Sequence, residues 1–405
     1  MNYQEAIDVL FTKLPMFQRS GPAAYKSNLD GTKAVCKMLD NPENDLKYVH
    51  IAGTNGKGTV AHMLSAVLQN SGYKVGLFTS PHLVDFRERI RINGEMIPEE
   101  EVVEFVESFE SKWGSPSFFE LTFGMALRYF KSQQVDIVVL ETGMGGRLDS
   151  TNVIPNAEVC VVTNIGLDHQ QFLGDTIRDI AREKAGILKH GVPVILGKMR
   201  AEAQSIILEQ ALKTSSEMHY GRIVPNGIHD DPSPFFKENT ATTFETLRVL
   251  KLHGWNIEED DVIKALNDYR NISGQRGRSE ILEESGNYGS VLLDCAHNYD
   301  GISGLIRSLE GLKLHIVFGS VGDKDLGSIM RLFPKTSTMY WCSADVPRSM
   351  DVKILSEYGY REGLKGQAYD SVQDAFVAAR IKSFKKKNEQ ALICGSIFVV
   401  GEVTS

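Results

Sequence analysis

Short apolar runs alternate along the chain with segments in which apolar residues recur every three or four positions. The runs are apolar at nearly every position, which is typical of strands buried on both faces of a parallel sheet. Helical segments between them fit the crossover connections of such a sheet. The pattern predicts strands at 47–52, 74–79, 135–141, 158–164, 192–197, 290–294, 314–319, 339–344 and 391–395.

The segment that follows Gly58 shows the helical period most clearly. Its apolar residues fall on one face of a helix, and Gly72 is placed to end that helix. Those apolar residues are Val60, Met63, Leu64, Val67 and Leu68. Together with the strands, this pattern predicts the α/β class, with two α/β units in one chain.

The two units are predicted as a first domain at 1–272, a linker at 273–278 and a smaller second domain at 279–405. The linker prediction rests on a polar stretch rich in Gly and Arg between the two series of strands. A second stretch, 221–234, is rich in Pro, Gly and Asp. We interpret it as a surface loop inside the first unit.

The composition excludes several classes of protein. The 405 residues carry 44 Lys and Arg against 52 Asp and Glu, and the resulting net charge of −8 argues against a nucleic-acid partner. No apolar stretch reaches the roughly 18 residues of a membrane span, and the N-terminus carries acids where a signal peptide carries Lys or Arg. We therefore expect a cytoplasmic protein with no membrane partner. Its five scattered cysteines suggest buried thiols rather than a zinc or redox motif.

A glycine-rich loop connects the first predicted strand directly to the first clear helix. Backbone N–H groups of such a loop, together with the helix N-terminus, face an anion that a lysine can neutralise. The first domain is therefore predicted to be of the P-loop type and to bind a nucleotide triphosphate. The loop consists of Gly53, Thr54, Asn55, Gly56, Lys57, Gly58 and Thr59.

Polar clusters at 79–82, 141–149 and 164–169 follow the next predicted strands. The carboxyl ends of parallel strands share one sheet edge, where ligands of α/β proteins bind. A hydroxyl, a carboxylate and an imidazole beside a triphosphate can hold Mg²⁺. Taken alone, a histidine such as His169 is more often structural, and Lys184 fits a surface lysine paired with a neighbouring acid better than a site residue.

The motifs of this chain closely resemble those of the folylpolyglutamate synthase / dihydrofolate synthase family, relatives of the Mur ligases. They occur in the family's order over about nine tenths of the chain. The motifs are GTNGKGT (53–59), TSPHLVDFRERIRING (79–94), ETGMGGRLDSTN (141–152), NIGLDH (164–169), REKAGI (182–187), Gly277-Arg278, DCAHN (294–298), FGSVGDKD (318–325) and GSIFVVGE (395–402). The family's His-Gln before an adenine-contacting Asn is replaced here by Phe235-Phe236-Lys237.

This resemblance implies a Mur-ligase-like fold and an ATP-dependent amide ligase. ATP would phosphorylate a folate or dihydropteroate carboxylate to an acyl phosphate, and the amino group of L-glutamate would then displace phosphate. The resemblance implies ATP and Mg²⁺ as cofactors and only small-molecule partners, and we expect a monomer. One site is expected to serve both dihydropteroate and tetrahydrofolate.

The resemblance also assigns roles to individual residues. Lys57, Lys184 and His297 are expected to act in catalysis, and Lys184 is expected to be carbamylated and to serve a second Mg²⁺. The expected metal ligands are Ser80, Glu141, His169 and Lys184. The nucleotide is expected to contact the loop 53–59, Asn239, Arg278, Asp294 and His297.

The pterin ring is expected to contact the segment 25–30, Phe119 and Asp149. An aromatic face would stack on the ring, and a carboxylate would accept its N–H donors. From the residues alone, Phe119 could instead belong to the core, and Asp149 could cap a helix.

Three alternatives share part of this pattern. A Mur-type peptide ligase would need a uridine-nucleotide domain before the loop, and only 52 residues precede Gly53. A P-loop kinase would not need a second α/β unit that supplies Arg278 and His297. A nucleotide-switch protein would show no glutamate-dependent hydrolysis.

Overall fold

The computed structural model describes residues 1–16, 28–322 and 325–404. The chain divides into two compact units. The first comprises Met1–Asp230 and Phe236–Gln275, and the second comprises Asp231–Phe235 and Arg276–Ser405. Residues 25–27 of the expected pterin-contacting segment lie outside the described residues. So do Asp323 and Lys324 of the motif at 318–325.

The first unit is built on an eight-stranded sheet with the order β4-β3-β2-β5-β1-β6-β7-β8. Strands β2, β5, β1, β6, β7 and β8 run parallel, and β3 and β4 are antiparallel additions at one edge. The strands are β1 (Tyr48–Ala52), β2 (Val75–Phe78), β3 (Ile90–Ile92), β4 (Glu95–Met96), β5 (Ile137–Glu141), β6 (Val159–Val162), β7 (Val194–Leu196) and β8 (Met218–Tyr220).

Helices cover both faces of this sheet. They are α1 (Tyr3–Lys13), α2 (Asp30–Met38), α3 (Lys57–Asn70), α4 (Glu99–Phe109), α5 (Phe118–Ser132), α6 (Gln170–Leu173), α7 (Ile177–Ala185), α8 (Ala201–Thr214), α9 (Phe236–Leu252), α10 (Glu259–Asn267) and α11 (Tyr269–Ser273). Short 3-10 turns occur at Pro42–Asn44, Phe86–Arg89 and Ser150–Val153. Helix α3 ends close to Gly72, whose φ of +89° lies in the left-handed region that glycine adopts readily.

The parallel strands are buried on both faces, as their apolar runs predict. In β5, Val138 and Leu140 join the hydrophobic core on one face of the sheet. Ile137 and Val139 join a separate core on the other face. This alternation explains why residues 137–140 of β5 are all apolar, because neither face of the sheet meets water there.

The second unit contains a smaller six-stranded sheet with the order β13-β12-β11-β14-β10-β9, in which only β9 is antiparallel. Its strands are β9 (Glu280–Leu282), β10 (Val291–Leu293), β11 (Lys313–Phe318), β12 (Thr338–Trp341), β13 (Lys365–Ala368) and β14 (Glu389–Cys394). Its helices are α12 (Tyr299–Ser308), α13 (Leu326–Met330), α14 (Val352–Arg361), α15 (Val372–Ser383) and α16 (Ile397–Thr404). The predicted α/β class, a mostly parallel sheet domain with a smaller α/β domain, is confirmed.

The placement of the loop at 221–234 wholly inside the first unit is wrong for its last residues. The loop itself has no helix or strand, but Asp231–Phe235 group with the second unit. The cause is packing: a Cβ atom on Gly304 would lie 2.4 Å from the Cζ atom of Phe235, so the ring fills the space left by the missing side chain.

The described part of the chain contains no helix that is both long and apolar enough to cross a membrane.

Candidate active site

The phosphate loop begins after the end of β1 at Ala52, and its last three residues, 57–59, form the first turn of α3. Segment 163–166, which follows β6, holds it in place. The backbone N–H groups of Thr54 and Asn55 donate to the carbonyl and side-chain oxygens of Asn164 at 3.0 and 2.8 Å. The Thr54 hydroxyl and the Gly166 backbone are joined by hydrogen bonds of 3.0 and 3.1 Å. The loop conformation is therefore set by the neighbouring strand end.

Two glycines of the loop allow close approach of polar side chains. A Cβ atom on Gly53 would lie 1.9 Å from the Thr163 hydroxyl oxygen, and one on Gly56 would lie 2.4 Å from Oδ1 of Asn239. Gly56 also has a φ of +85°, which a side chain would disfavour. The structure thus brings Asn239, the predicted adenine-side residue, directly against the phosphate loop.

Two lysines converge on one carbonyl oxygen of this loop. Nζ of Lys57 donates to the Gly53 oxygen at 3.1 Å, and Nζ of Lys184 donates to the same oxygen at 2.8 Å. Lys184 is only 4% exposed, so the surface-lysine alternative is wrong. Burial, followed by the positive charge of Lys57, lowers the pKa of Lys184 to about 7.

Glu141, at the end of β5, connects the phosphate loop to the loop after β2. Its Oε2 accepts a 3.0 Å hydrogen bond from the backbone N–H of Ser80. A Cβ atom on Gly58 would lie 3.6 Å from that same oxygen, so the buried carboxylate lies beside the phosphate loop. His169, whose φ is +51°, immediately precedes α6 in the loop after β6. Ser80, Glu141 and His169 therefore lie at or just after the carboxyl ends of β2, β5 and β6, whereas Lys184 lies in α7.

This donor set fits Mg²⁺ in chemistry, because carboxylate and hydroxyl oxygens are its preferred protein ligands. In the described residues, no group of three or more His, Cys, Asp or Glu side chains is arranged to hold a metal ion. The predicted set contains only one carboxylate and one imidazole, so it does not form such a group by itself. A Mg²⁺ ion fills its remaining positions with phosphate oxygens and water, which suits a site that assembles around a nucleotide.

Phe119 and Asp149, the two predicted pterin contacts, both flank the backbone at 143–144. A Cβ atom on Gly143 would lie 2.7 Å from Cζ of Phe119, so the ring rests against the glycine. Oδ2 of Asp149 accepts a 2.8 Å hydrogen bond from the backbone N–H of Met144. Phe119 is partly buried and packs against Phe78, with ring centroids 5.7 Å apart, so its ring also contributes to the core.

Asp149 also has the capping role that its sequence suggested as an alternative. It precedes the 3-10 turn Ser150–Val153, and its side chain accepts from the backbone N–H of Thr151. Burial raises the pKa of this carboxyl group, while its hydrogen bonds oppose the shift. Its negative charge in turn raises the pKa of Lys184, which places the carboxylate within electrostatic range of the phosphate loop.

The predicted residues of the second unit also lie together. Oδ2 of Asp294 accepts hydrogen bonds of 2.9 and 3.0 Å from the backbone and hydroxyl of Ser279. The backbone N–H of Cys295 donates to the Gly277 carbonyl at 3.0 Å. Arg278 is thereby fixed next to the loop 294–298. Nδ1 of His297 lies 2.9 Å from the Cys295 carbonyl in that same loop.

Sequence reasoning missed three polar residues at this site. Thr163 donates to the Asn55 carbonyl at 2.6 Å, and Gln275 Nε2 donates to the Thr59 hydroxyl at 3.3 Å. His50 contacts the Thr151 hydroxyl. For His50 a signal existed, because it is the one imidazole within the otherwise largely apolar run of β1. Gln275 gives no local signal, since its partner is distant in sequence.

Comparison with known proteins identifies the family. The Mur ligase middle domain model matches residues 51–222, and the Mur ligase, glutamate ligase domain model matches residues 277–397. The folylpolyglutamate synthase of Lacticaseibacillus casei is 33% identical, over 100% of this chain and 98% of the relative. This chain belongs to the folylpolyglutamate synthase / dihydrofolate synthase family. It is accordingly an ATP-dependent ligase.

One relative is considerably longer. The Haloferax volcanii protein named probable bifunctional folylpolyglutamate synthase/dihydropteroate synthase is 31% identical over 99% of this chain. The chain spans 50% of the length of that relative.

Solved structures of the family carry relevant ligands. Escherichia coli FolC in complex with DHPP and ADP matches with a TM-score of 0.85 and 29% identity, over 100% of this chain and 97% of the other. A bifunctional folylpolyglutamate synthase/dihydrofolate synthase with Mn, AMPPNP and L-glutamate bound matches with a TM-score of 0.84 and 26% identity, over 100% and 97%. The predicted use of ATP and a divalent metal is confirmed.

Proposed function

We propose that this chain joins L-glutamate to the carboxylate of a folate, and also makes dihydrofolate from dihydropteroate. The observation that carries the proposal is the phosphate loop on which Lys57 and Lys184 converge, with the buried Glu141 carboxylate beside it. Such a cluster offsets the charge of a phosphoryl group in transfer and lies where the carboxyl ends of parallel strands hold ligands. One related structure contains DHPP and another contains L-glutamate. These ligands support the proposed acceptor and the proposed amino donor, respectively.

The reaction proceeds in two steps. An oxygen of the folate carboxylate attacks the γ-phosphorus of ATP, the bond to ADP breaks, and an acyl phosphate forms. The neutral amino group of glutamate then attacks the acyl carbon, phosphate leaves, and an amide bond remains after loss of a proton. Lys57 offsets charge on the phosphates during the first step.

The remaining nucleotide contacts divide between the units. Asn239 is proposed to contact adenine, because it rests against Gly56 of the loop. Arg278, Asp294 and His297 are proposed to contact the phosphates and ribose.

The divalent ion would be held by Ser80, Glu141, His169 and Lys184, and would neutralise phosphate charge when bound. Lys184 reaches this role as a carbamate. Its neutral amine attacks CO₂, a C–N bond forms, and one proton is released. The pKa of about 7 supports this step, because a large fraction of the amine is neutral near pH 7.

The pterin ring is proposed to bind beside Phe119 and Asp149, which flank residues 143–144. The aromatic ring supplies a stacking face, and the carboxylate accepts N–H donors of the pterin. The same two residues are proposed to contact the pterin of dihydropteroate and of tetrahydrofolate.

The test is phosphate release with ATP, L-glutamate and either 7,8-dihydropteroate or tetrahydrofolate, with mass spectrometry of the products. Glutamate-dependent release and a product heavier by one glutamyl residue are expected with both acceptors. Release without glutamate, together with a stable phosphorylated acceptor, would indicate a kinase. No release with either acceptor would contradict the proposal.

We further propose that the protein acts in the cytoplasm as a monomer. Its five cysteines are free and buried, which suits a reducing compartment. Light scattering after gel filtration tests whether the protein is a monomer. Cell fractionation tests whether it is located in the cytoplasm.

A further inference from the structure

His50 lies at the centre of β1, the strand that leads into the phosphate loop. The residue is fully buried. In the sheet it is paired with Leu140 of β5 and Cys160 of β6. Its Nε2 lies 2.9 Å from the Thr151 hydroxyl oxygen. Among the described residues, its Nδ1 has no hydrogen-bond partner. Burying an imidazole costs free energy of folding unless its polar atoms are hydrogen-bonded, so the contact with Thr151 is needed to offset part of this cost.

The carboxylate of Asp149 fixes the direction of the hydrogen bonds that join His50, Thr151 and Asp149. The Thr151 hydroxyl donates to Oδ1 of Asp149 at 2.6 Å. A carboxylate only accepts, so the threonine proton must point to Asp149 and its oxygen must accept from His50. His50 therefore donates from Nε2. A second proton on Nδ1 would be a buried charge with no acceptor among the described residues, so the ring is neutral with a bare lone pair on Nδ1. Burial lowers the pKa of His50 to about 3, which agrees with this single state.

The two oxygens of Asp149 have different partners. Oδ1 accepts from both the hydroxyl and the backbone N–H of Thr151, at 2.6 and 3.1 Å. Oδ2 accepts from the backbone of Met144 at 2.8 Å, and a hydrogen bond from the backbone of Gly143 also lowers the pKa of this carboxyl group. A carboxylate oxygen accepts about two hydrogen bonds. Oδ1 is therefore fully occupied, and a further donor to Asp149 can approach only Oδ2.

We propose that His50 and Thr151 are positioning residues that occupy Oδ1 of Asp149 and thereby present Oδ2 to an N–H donor of the pterin ring. This inference rests on the proposed function, since it assumes that a pterin binds beside Asp149. His50 holds the threonine hydroxyl in one rotamer, and that rotamer holds the carboxylate plane. Strand β1 thus supports the acceptor substrate with His50 and the nucleotide with the loop that follows it.

The test compares paired variants that keep or remove the donor. His50→Gln retains an N–H at the position of Nε2, and His50→Leu does not. Thr151→Ser retains the hydroxyl, and Thr151→Val does not. We expect His50→Leu and Thr151→Val to raise KM for dihydropteroate by roughly five- to tenfold, the scale of one buried hydrogen bond. KM for ATP should stay unchanged in these variants. The variants His50→Gln and Thr151→Ser should keep KM for dihydropteroate within about twofold of the wild-type value.

A matched control addresses general loss of packing. Thr246 is equally buried, and its hydroxyl donates to the Thr242 carbonyl within α9. Thr246→Val should leave KM for dihydropteroate unchanged. The contrary outcome is that His50→Leu and Thr151→Val lower the melting temperature while shifting KM for ATP and KM for dihydropteroate equally. In that case His50 and Thr151 are structural, and the proposal is overturned.

A measurement without substrate separates this inference from the proposed function. In the wild type labelled with ¹⁵N-histidine, NMR should show His50 with a proton on Nε2 that does not titrate between pH 5 and 8, given the pKa of about 3. A proton on Nδ1, or titration in that range, would contradict the hydrogen bonds proposed from His50 through Thr151 to Asp149, whatever the substrate. If the wild type makes no dihydrofolate, the proposed function fails, and the NMR result alone decides whether these hydrogen bonds exist.

Discussion

Nζ of Lys184 donates a 2.8 Å hydrogen bond to the carbonyl oxygen of Gly53, the first residue of the phosphate loop. The loop, α7 and the lysine are thereby joined at one point, although the two residues lie far apart in sequence. Lys57 donates to the same oxygen, and its charge helps to keep the Lys184 amine neutral. A lysine that is buried, partly neutral and beside a nucleotide loop has the properties required for carbamylation.

We expect Lys184→Ala to lose ligase activity, because the carbamate that helps to hold the metal ion is removed. A small carboxylate such as acetate or formate should restore part of the activity, since it can enter the space and supply the missing oxygens. Phosphate release with and without added formate measures this. Electron density for an unmodified ammonium group in a nucleotide- and magnesium-bound crystal would count against carbamylation.

The same lysine predicts a pH dependence of stability. Its pKa is about 7 in the folded protein, against 10.5 for an unperturbed lysine. Between these values the unfolded chain binds more protons, so the lysine's contribution to the free energy of unfolding rises with pH. Lys184→Met should therefore stabilise the protein most near pH 7, and this gain should shrink as the pH approaches 10.5. Denaturant unfolding in CO₂-free buffers at both ends of the window measures it. An equal gain at both ends would show that Lys184 is not held neutral.

Lys57→Ala should abolish ATP turnover and leave the fold intact. Among the described residues, the side-chain hydrogen bonds of Lys57 go to the Gly53 and Thr54 carbonyls of its own loop, at 3.1 and 3.5 Å, so little of the fold depends on them. Loss of a charge contact to the transferring phosphoryl group costs at least about tenfold in rate. Steady-state turnover and circular dichroism check the two parts. More than about a tenth of wild-type activity would contradict the assignment of the loop.

Central strands could be predicted from the sequence because burial on both faces leaves an unmistakable apolar run. The hairpin of β3 and β4 was missed because its strands are short and Arg91 interrupts the first. A signal was present, since Asn93 and Gly94 have φ values of +48° and +81° and Asn-Gly is typical of a tight hairpin turn. Asp231–Phe235 belong to the second unit because Phe235 packs against Gly304. No local sequence pattern encodes this contact.

For the site, motifs predicted which residues carry chemistry, because glycine, lysine and acid patterns at strand ends have few structural uses. What they could not predict is how those residues are held. The burial of Lys184 follows from packing of α7, and the helix pattern alone suggested a surface position. The contact of Gln275 with Thr59 joins residues far apart in the chain, so only the fold brings them together.

Gln275 predicts a connection between the nucleotide loop and the junction of the two units. It is the last residue of the first unit, and its carboxamide donates to the Thr59 hydroxyl. A nucleotide that engages Thr59 should therefore alter the junction, and we expect a hinge at 271–280 to gate catalysis. Small-angle scattering should differ with and without ATP plus folate. Identical curves would leave the gating without support.

Gln275→Leu should then weaken nucleotide affinity by roughly fivefold, the scale of one hydrogen bond. Isothermal titration with a non-hydrolysable ATP analogue measures this directly. Ser273→Ala is the control, because Ser273 contacts His62 on the same helix but not Thr59. An equal effect of both substitutions would point to general loosening of α3 instead of a specific role for Thr59.

Asp149→Ala is expected to depress the dihydropteroate reaction by roughly tenfold or more, the scale of one buried charged hydrogen bond. Tetrahydrofolate extension should fall less. The carboxylate also caps the turn Ser150–Val153 and holds the Met144 backbone, so some loss of stability is expected as well. Kinetics must therefore be compared below the melting temperature of the variant.

Asp149→Asn separates the two roles of this residue. An amide oxygen can still accept from Thr151, but its NH₂ group cannot accept from Met144 or from a pterin N–H. If Asp149 binds the pterin, Asn should lose the dihydropteroate reaction nearly as strongly as Ala while unfolding closer to the wild-type temperature. Initial rates with both acceptors and thermal unfolding check this. Equal losses with dihydropteroate and tetrahydrofolate in both variants would mean that Asp149 supports the loop and does not select the substrate.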